Sequence, residues 1–187
     1  MPVMILDPIL EIRIRAERTN SPTSRYDEVW DGVLVVAPLP NNDHQIVVTR
    51  LATAFSGLID WNAGDQVLAG TNVSDRDTDW TSNYREPDVA VYLASNPAKN
   101  KGTHWFGGPD LAVEIVSPGE EPRDKLEFYA KVQTREVLIV DRDPWRLELY
   151  QLRGDQLVRV GTSEANDGVV LTSGVLPLTF QLQSDSP

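Results

Sequence analysis

The run "PDLAVEIVS", residues 109–117, constrains this chain more than any other stretch. Side chains alternate along a strand, so Leu111, Val113 and Ile115 fall on one side while Ala112, Glu114 and Val116 fall on the other. Both sides are apolar except at Glu114, so both faces of the strand are expected to be buried. An ionised carboxylate in such surroundings is costly unless it is paired, hydrogen-bonded or bound to a metal. Glu114 therefore requires a partner from elsewhere in the chain.

The flanking sequence predicts the rest of the sheet. "RYDEVWDGVLVVAP" reads as two strands around Asp31-Gly32, a strong hairpin signal, with Glu28 just ahead of the turn. In "NNDHQIVVTRLATAFSGLIDW", Val47, Leu51, Phe55 and Leu58 recur at helical spacing after a cap at Asn42 or Asp43. Three β segments follow, "DQVLAGTNV", "PDVAVYLA" and "PDLAVEIVS". A second helix is expected in "PRDKLEFYAKV", with Pro122 in its first turn and Leu126, Tyr129 and Ala130 on neighbouring faces. "REVLIVDRD", "RLELYQLR" and the segments from "DQLVRV" to "LPLTFQL" read as further strands. The order implies a mixed sheet with helices packed on it, an α/β or α+β architecture. With 187 residues, 41% of them hydrophobic, and no repeat or shift in composition, a single domain spanning 1–187 is expected.

Charge and composition narrow the function. A net charge of −11 has the wrong sign for a protein that coats nucleic acid through general phosphate attraction. It is compatible with an enzyme whose acidic site binds a divalent cation. The absence of cysteine excludes disulfides and thiolate metal sites, and agrees with a reducing cytoplasm. No stretch approaches the roughly 18 apolar residues of a membrane span, and no basic leader precedes the apolar opening. A soluble cytoplasmic protein without an organic cofactor is the expectation.

Three residues are candidate partners for Glu114. Asp88 opens the neighbouring strand "PDVAVYLA"; two carboxylates on adjacent strands repel unless a cation lies between them, and oxygen ligands suit Mg²⁺ or Mn²⁺. Lys125, early in the helix after the glutamate strand, can reach back to pair with Glu114 or orient a water. Glu28, beside the hairpin, is a possible further ligand or supporting group. The bland alternatives are a structural ion pair of Glu114 with Lys125 or an arginine, and a turn role for Asp88 after Pro87.

Other residues carry weaker signals. His44 near the first helix start reads as a cap or surface residue that could also act at the site, and His104 as a loop residue. Ser117 lacks a histidine and acid pattern and reads as a turn or cap residue. Tyr129 stands one turn after Lys125 and reads as core with possible site support. Trp30, Trp61, Trp80, Trp105 and Trp145 are dispersed and suggest core, loop or dimer contacts rather than base stacking. The loop "SDRDTDW" lacks the glycine and glutamate of a calcium hand and reads as a solvated acidic loop.

The segments "YDEVWDGVLVV", "REPDVAVY", "GGPDLAVEIVSP" and "RDKLEFYAKVQTREVLIVD" together resemble the Uma-two family of bacterial restriction endonucleases, over about residues 20–150. That family resembles the PD-(D/E)XK nuclease superfamily, which implies a restriction-endonuclease-like mixed sheet flanked by helices. Here that core carries an N-terminal hairpin and a C-terminal β extension over about 151–187. The resemblance also implies a homodimer that hydrolyses DNA with Mg²⁺, for which Mn²⁺ can substitute. Pro87-Asp88 matches the first half of the superfamily motif and Glu114 the acidic half. Val116 stands where the motif lysine would be, and the residue matching the lysine of the Uma-two type is Lys125; Glu28 matches the glutamate before the family's hairpin. The implied metal ligands are Asp88, Glu114 and the Ile115 carbonyl, with Lys125 and Glu28 completing the catalytic set. The linker "SPGEEPRD" is shorter than in many relatives. From another functional class, a non-catalytic dimeric module that retains the nuclease fold is the alternative, suggested by the acidic charge and the lack of a basic stripe.

Overall fold

The computed structural model describes residues 3–18, 26–117 and 121–183. Part of the linker before the second predicted helix, residues 118–120, lies outside the described residues. The N-terminal segment forms a strand, β1 (Val3–Ile5), and a helix, α1 (Pro8–Arg18). The predicted hairpin follows as β2 (Glu28–Trp30) and β3 (Val33–Val36). Asp31 and Gly32 both have positive φ, 47° and 87°, as the tight turn that matches strand twist requires. Helix α2 (Asn42–Ser56) is capped by Asn41, whose side chain accepts from the His44 N–H. The cap is therefore one residue earlier than the expected Asn42 or Asp43. The buried face of α2 runs through His44, Val48 and Phe55, with Val47 and Leu51 at its margin, while Leu58 lies beyond the helix and is exposed.

The segment "DQVLAGTNV" splits into β4 (Gln66–Leu68) and β5 (Val73–Ser74), because Gly70, at φ 72°, turns the chain from one sheet to another. Next come β6 (Tyr84–Arg85), β7 (Val89–Tyr92), β8 (Lys99–Asn100), β9 (Trp105–Phe106) and β10 (Leu111–Ile115). The predicted second helix is half 3₁₀, over Pro122–Lys125, and half α, as α3 (Leu126–Lys131). The chain continues as β11 (Glu136–Arg142), β12 (Trp145–Arg153) and β13 (Gln156–Glu164), then β14 (Leu171–Thr172) and β15 (Thr179–Phe180). Among the described residues the strands form a seven-stranded sheet, ordered β1-β3-β2-β6-β5-β9-β8, a six-stranded sheet, ordered β13-β12-β11-β10-β7-β4, and the small β14-β15 pair. The architecture is the mixed α+β one that the sequence predicts.

β10 lies inside the six-stranded sheet, antiparallel to β7 and parallel to β11, and all five of its residues are buried. The parallel pair needs a crossover, which the 3₁₀ turn and α3 provide. Leu111, Val113 and Ile115 pack with Val89, Val91, Leu138 and Leu149 beneath Val48 and Phe55 of α2. Ala112 packs on the opposite face with Val137 and Ile139 beneath Phe128, Tyr129 and Val132. Each fully buried side chain such as Phe55 or Leu138 contributes about 1.5–3 kcal/mol through removal from water. Glu114, an even-numbered residue, lies on the face that α3 covers.

Gly108 fixes how closely the end of α3 approaches the start of β10: its N–H donates to the Val132 carbonyl at 2.7 Å. A Cβ at Gly108 would stand 2.3 Å from Thr134 Oγ1 and 2.8 Å from the Val132 carbonyl oxygen, with no room for either backbone to yield cheaply. Gly108→Ala is expected to destabilise the fold by about 1–3 kcal/mol. Urea unfolding checks this, and an unchanged midpoint would rule out the close approach.

Candidate functional site

Continuing the β10–β7 register by one residue past Val113 and Val89 sets Glu114 directly across from Asp88. Asp88 stands one residue before β7, beside the end of β10 that carries Glu114. Asp88 is fixed at both oxygens: the Ile115 N–H donates to Oδ2 at 2.7 Å, and His44 Nε2 lies 3.1 Å from Oδ1. His44, read from sequence as a cap or surface residue that could also act at the site, is buried against it, and among the described residues its Nδ1 has no hydrogen-bond partner. It belongs to the inward face of α2 that also carries Val48 and Phe55, a period the sequence contains but that a polar residue near a helix start obscures. The group of Ile115 that the structure joins to Asp88 is its N–H.

Glu114 is 4% exposed. Lys125 Nζ donates to its Oε2 at 2.9 Å, and the Tyr129 hydroxyl donates to Oε1. The same Nζ donates to Glu28 Oε1 at 2.9 Å. Glu28 accepts further bonds from the Glu86 N–H at Oε1 and from Trp30 Nε1 at Oε2, both 2.7 Å. Trp30 is two residues after Glu28 and on the same strand face, so alternation alone was enough to find it. The seven-stranded sheet brings Glu28 here because Arg85 of β6 is stacked between Trp30, 4.5 Å away, and Phe128 of α3, 4.3 Å away. Arg85 Nη1 also donates to the Val29 carbonyl at 2.9 Å, tying β2 to that stack.

Burial pushes the Glu114 carboxyl up to about 8; the Lys125 charge opposes the rise, and the Asp88 and Glu28 charges add to it. Burial acts to lower the Lys125 pKa, but Glu114 and Glu28 together hold it above its ordinary value. Tyr129 is raised by burial and by the neighbouring Glu114. Glu28, His44, Asp88, Glu114 and Lys125 line one cavity of about 320 Å³.

Among the described residues no group of three His, Asp or Glu side chains is arranged to hold a metal ion. The facing carboxylates of Asp88 and Glu114 offer oxygen donors at the wall of a cavity with room for water. That donor chemistry fits a hard divalent ion that retains several waters, rather than an ion caged by protein alone.

Other sequence candidates lie elsewhere. His104 bonds to Thr103 and the Arg76 carbonyl and stacks on Trp80. The acids of the 74–80 loop pair with Arg76, Lys101 and Lys131. Trp105 stacks on Tyr92, and Trp61 and Trp145 are exposed. No helix among the described residues is long and apolar enough to cross a membrane.

A carboxyl raised from about 4.5 to about 8 holds an extra proton in the native state between those values. Stability then falls as pH rises through that window, by at most about 1.4 kcal/mol per pH unit for one proton. In metal-free buffer, urea midpoints of the wild type are expected to decline more steeply from pH 5 to pH 8 than those of Glu114→Gln. Parallel profiles would show that Glu114 is ionised throughout.

Comparison with known proteins gives consistent similarities. The family described as "Putative restriction endonuclease" (Uma2) matches residues 14–183. An uncharacterized protein of Synechocystis sp. is 27% identical over 150 residues, covering 78% of this chain and 76% of its own length. A crystal structure described as "a putative nuclease belonging to DUF820" from Anabaena variabilis superposes with a TM-score of 0.63. It is 14% identical, and the match covers 84% of this chain and 88% of that one.

Proposed function

The chain belongs to the family described as "Putative restriction endonuclease" (Uma2), and we propose that it is a Mg²⁺-dependent endonuclease hydrolysing phosphodiester bonds of DNA. The observation that carries this reading is the meeting of Asp88, one residue before β7, and Glu114 of β10, with the Lys125 ammonium on Glu114. A structural Glu114–Lys125 ion pair would look the same; what favours the nuclease is that the pair lines one cavity together with Asp88. The similarity to the Anabaena variabilis structure supports the fold on which the reading rests.

Asp88 and Glu114, with the Ile115 carbonyl, would hold Mg²⁺, or Mn²⁺ in its place. When bound, such an ion supplies a water of lowered pKa and offsets charge on the phosphate. His44 and the Ile115 N–H keep Asp88 in one orientation, and Tyr129 does the same for Glu114. Lys125 presents an ammonium to the cavity, where it can orient the attacking water or stabilise negative charge as it builds. Glu28, bonded to Lys125 as well as to Glu86 and Trp30, would aim Lys125 or lend a further oxygen beside the ion. A cytoplasmic homodimer belongs to the same reading, from the family resemblance.

With plasmid DNA and Mg²⁺ or Mn²⁺, Asp88→Ala and Glu114→Ala are expected to abolish cleavage, and Lys125→Met to slow it about 10²-fold or more. Cleavage by either acid variant at the wild-type rate would end the assignment. Independently of substrate, Mn²⁺ is expected to raise the wild-type Tm and to leave that of Glu114→Ala unmoved. Sedimentation is expected to give a particle of twice the 20.8 kDa chain mass, and a monomer at micromolar concentration would remove the dimer.

A further inference from the structure

The row of the six-stranded sheet that carries Glu114 continues beyond it. Glu114 lies beside Ile139 on β11, and Ile139 beside Glu148 on β12. Glu148 therefore stands on the same face, two strands on, about 10 Å from Glu114 at the usual ~4.8 Å strand spacing. It is 2% exposed, and three arginines meet its carboxylate: Arg123 Nε at 3.0 Å, and Arg146 Nε and Arg159 Nη1 each at 3.4 Å. The Tyr150 hydroxyl donates to Oε2 at 2.7 Å. The arginines come from three elements: the 3₁₀ turn that also carries Lys125, β12 and β13. Glu121 also pairs with Arg123 at 2.8 Å, and Asp141 with Arg146 at 3.4 Å.

Glu148, Glu121 and Asp141 together balance the three guanidinium charges, so the cluster offers fixed geometry rather than excess charge. Each guanidinium carries five N–H donors in a rigid fork. Among the described residues Arg159 uses one of these, at 3.4 Å, and Arg146 makes only contacts of 3.4 Å, while their side chains are 55% and 34% exposed. Arg146 Nε is itself buried, and the exposed parts of the two guanidiniums extend from that fixed base. Glu148 thus preorganises planar cations whose geometry matches the oxygens of a phosphate, which reduces the ordering cost of binding one.

We infer that Arg146 and Arg159, anchored with Arg123 on Glu148, form a subsite for a backbone phosphate of DNA flanking the bond presented to Glu114. At about 3.4 Å of helix axis per nucleotide, the subsite lies within about three nucleotides of that bond. The inference rests on the phosphodiesterase reading above and adds that the substrate backbone would leave the cavity past the 3₁₀ turn that carries both Lys125 and Arg123 and reach the exposed Arg146 and Arg159, since Ile139 between the two glutamates is fully buried.

Fluorescence anisotropy with labelled duplex DNA in EDTA, where nothing is cut, tests the subsite. The chains compared are the wild type, Arg146→Gln, Arg159→Gln, their double variant, Arg159→Lys and Arg153→Gln, the last an arginine at the far end of β12. Each cluster substitution to Gln is expected to weaken binding several-fold and to reduce the slope of log K against log salt by about 1. Arg153→Gln is expected to keep the wild-type slope and affinity, and Arg159→Lys to keep the slope but weaken binding because it lacks the planar fork, so a lysine variant of wild-type affinity would overturn the subsite even if Arg159→Gln fails to fold. A double variant with the wild-type slope, or an equal loss in Arg153→Gln, overturns the subsite while leaving cleavage by the wild type intact. A wild type that neither binds nor cuts DNA overturns the subsite and the nuclease reading together.

Discussion

Lys125 donates from one nitrogen to Glu28 on the seven-stranded sheet and to Glu114 on the six-stranded one. Much of the arrangement around it serves that double bond. Pro122 begins the turn that delivers the lysine, Tyr129 holds the far oxygen of Glu114, and Trp30 holds the far oxygen of Glu28. Arg85, between Trp30 and Phe128, fastens the hairpin to the crossover helix, so the spacing of the two carboxylates is set by packing rather than by the ion pair itself. Removing one partner of such a buried group leaves the others uncompensated, which is commonly a larger loss than the pair contributes when intact.

Three carboxylates and one ammonium share this region, so ionising all of them leaves two negative charges in poor contact with water. A proton on Glu114 and a divalent cation at Asp88 and Glu114 are two answers to the same excess. The raised pKa of Glu114 is the answer of the protein alone. Binding a cation would release that proton, as metal sites with protonated ligands do in general. The pH dependence expected of stability and the proposed cation site are thus two consequences of one arrangement of charge.

Glu114, Asp88, Lys125 and the Asp31-Gly32 hairpin were legible because each sits in a long periodic run or beside a turn with its own residue signature. The two-residue strands β5, β6, β8 and β9 were not, since alternation cannot be recognised over two positions. β1 and α1 were not anticipated either, although α1 sets its half-buried Glu11, Ile14 and Arg18 at helical spacing while burying no residue fully. His44 was weighed, but a polar residue near a helix start reads as surface until the sheet beneath it is known. Glu148 was missed because Leu147 and Leu149 alternate with it and suggest that it faces water. Only the tertiary placement of Arg123 and Tyr150 accounts for its burial.

The two bonds of Lys125 differ in how far apart they lie along the chain: 11 residues to Glu114 and 97 to Glu28. The first can form as soon as the β10–α3–β11 crossover closes. The second waits until the hairpin has docked, after a much longer loop has been closed, and contacts of that kind dominate the time a chain needs to fold. The bond that aims Lys125 is thus the costlier of the two in loop-closure entropy. The site is complete only when the last sheet is in place, which ties any activity it has to the finished fold.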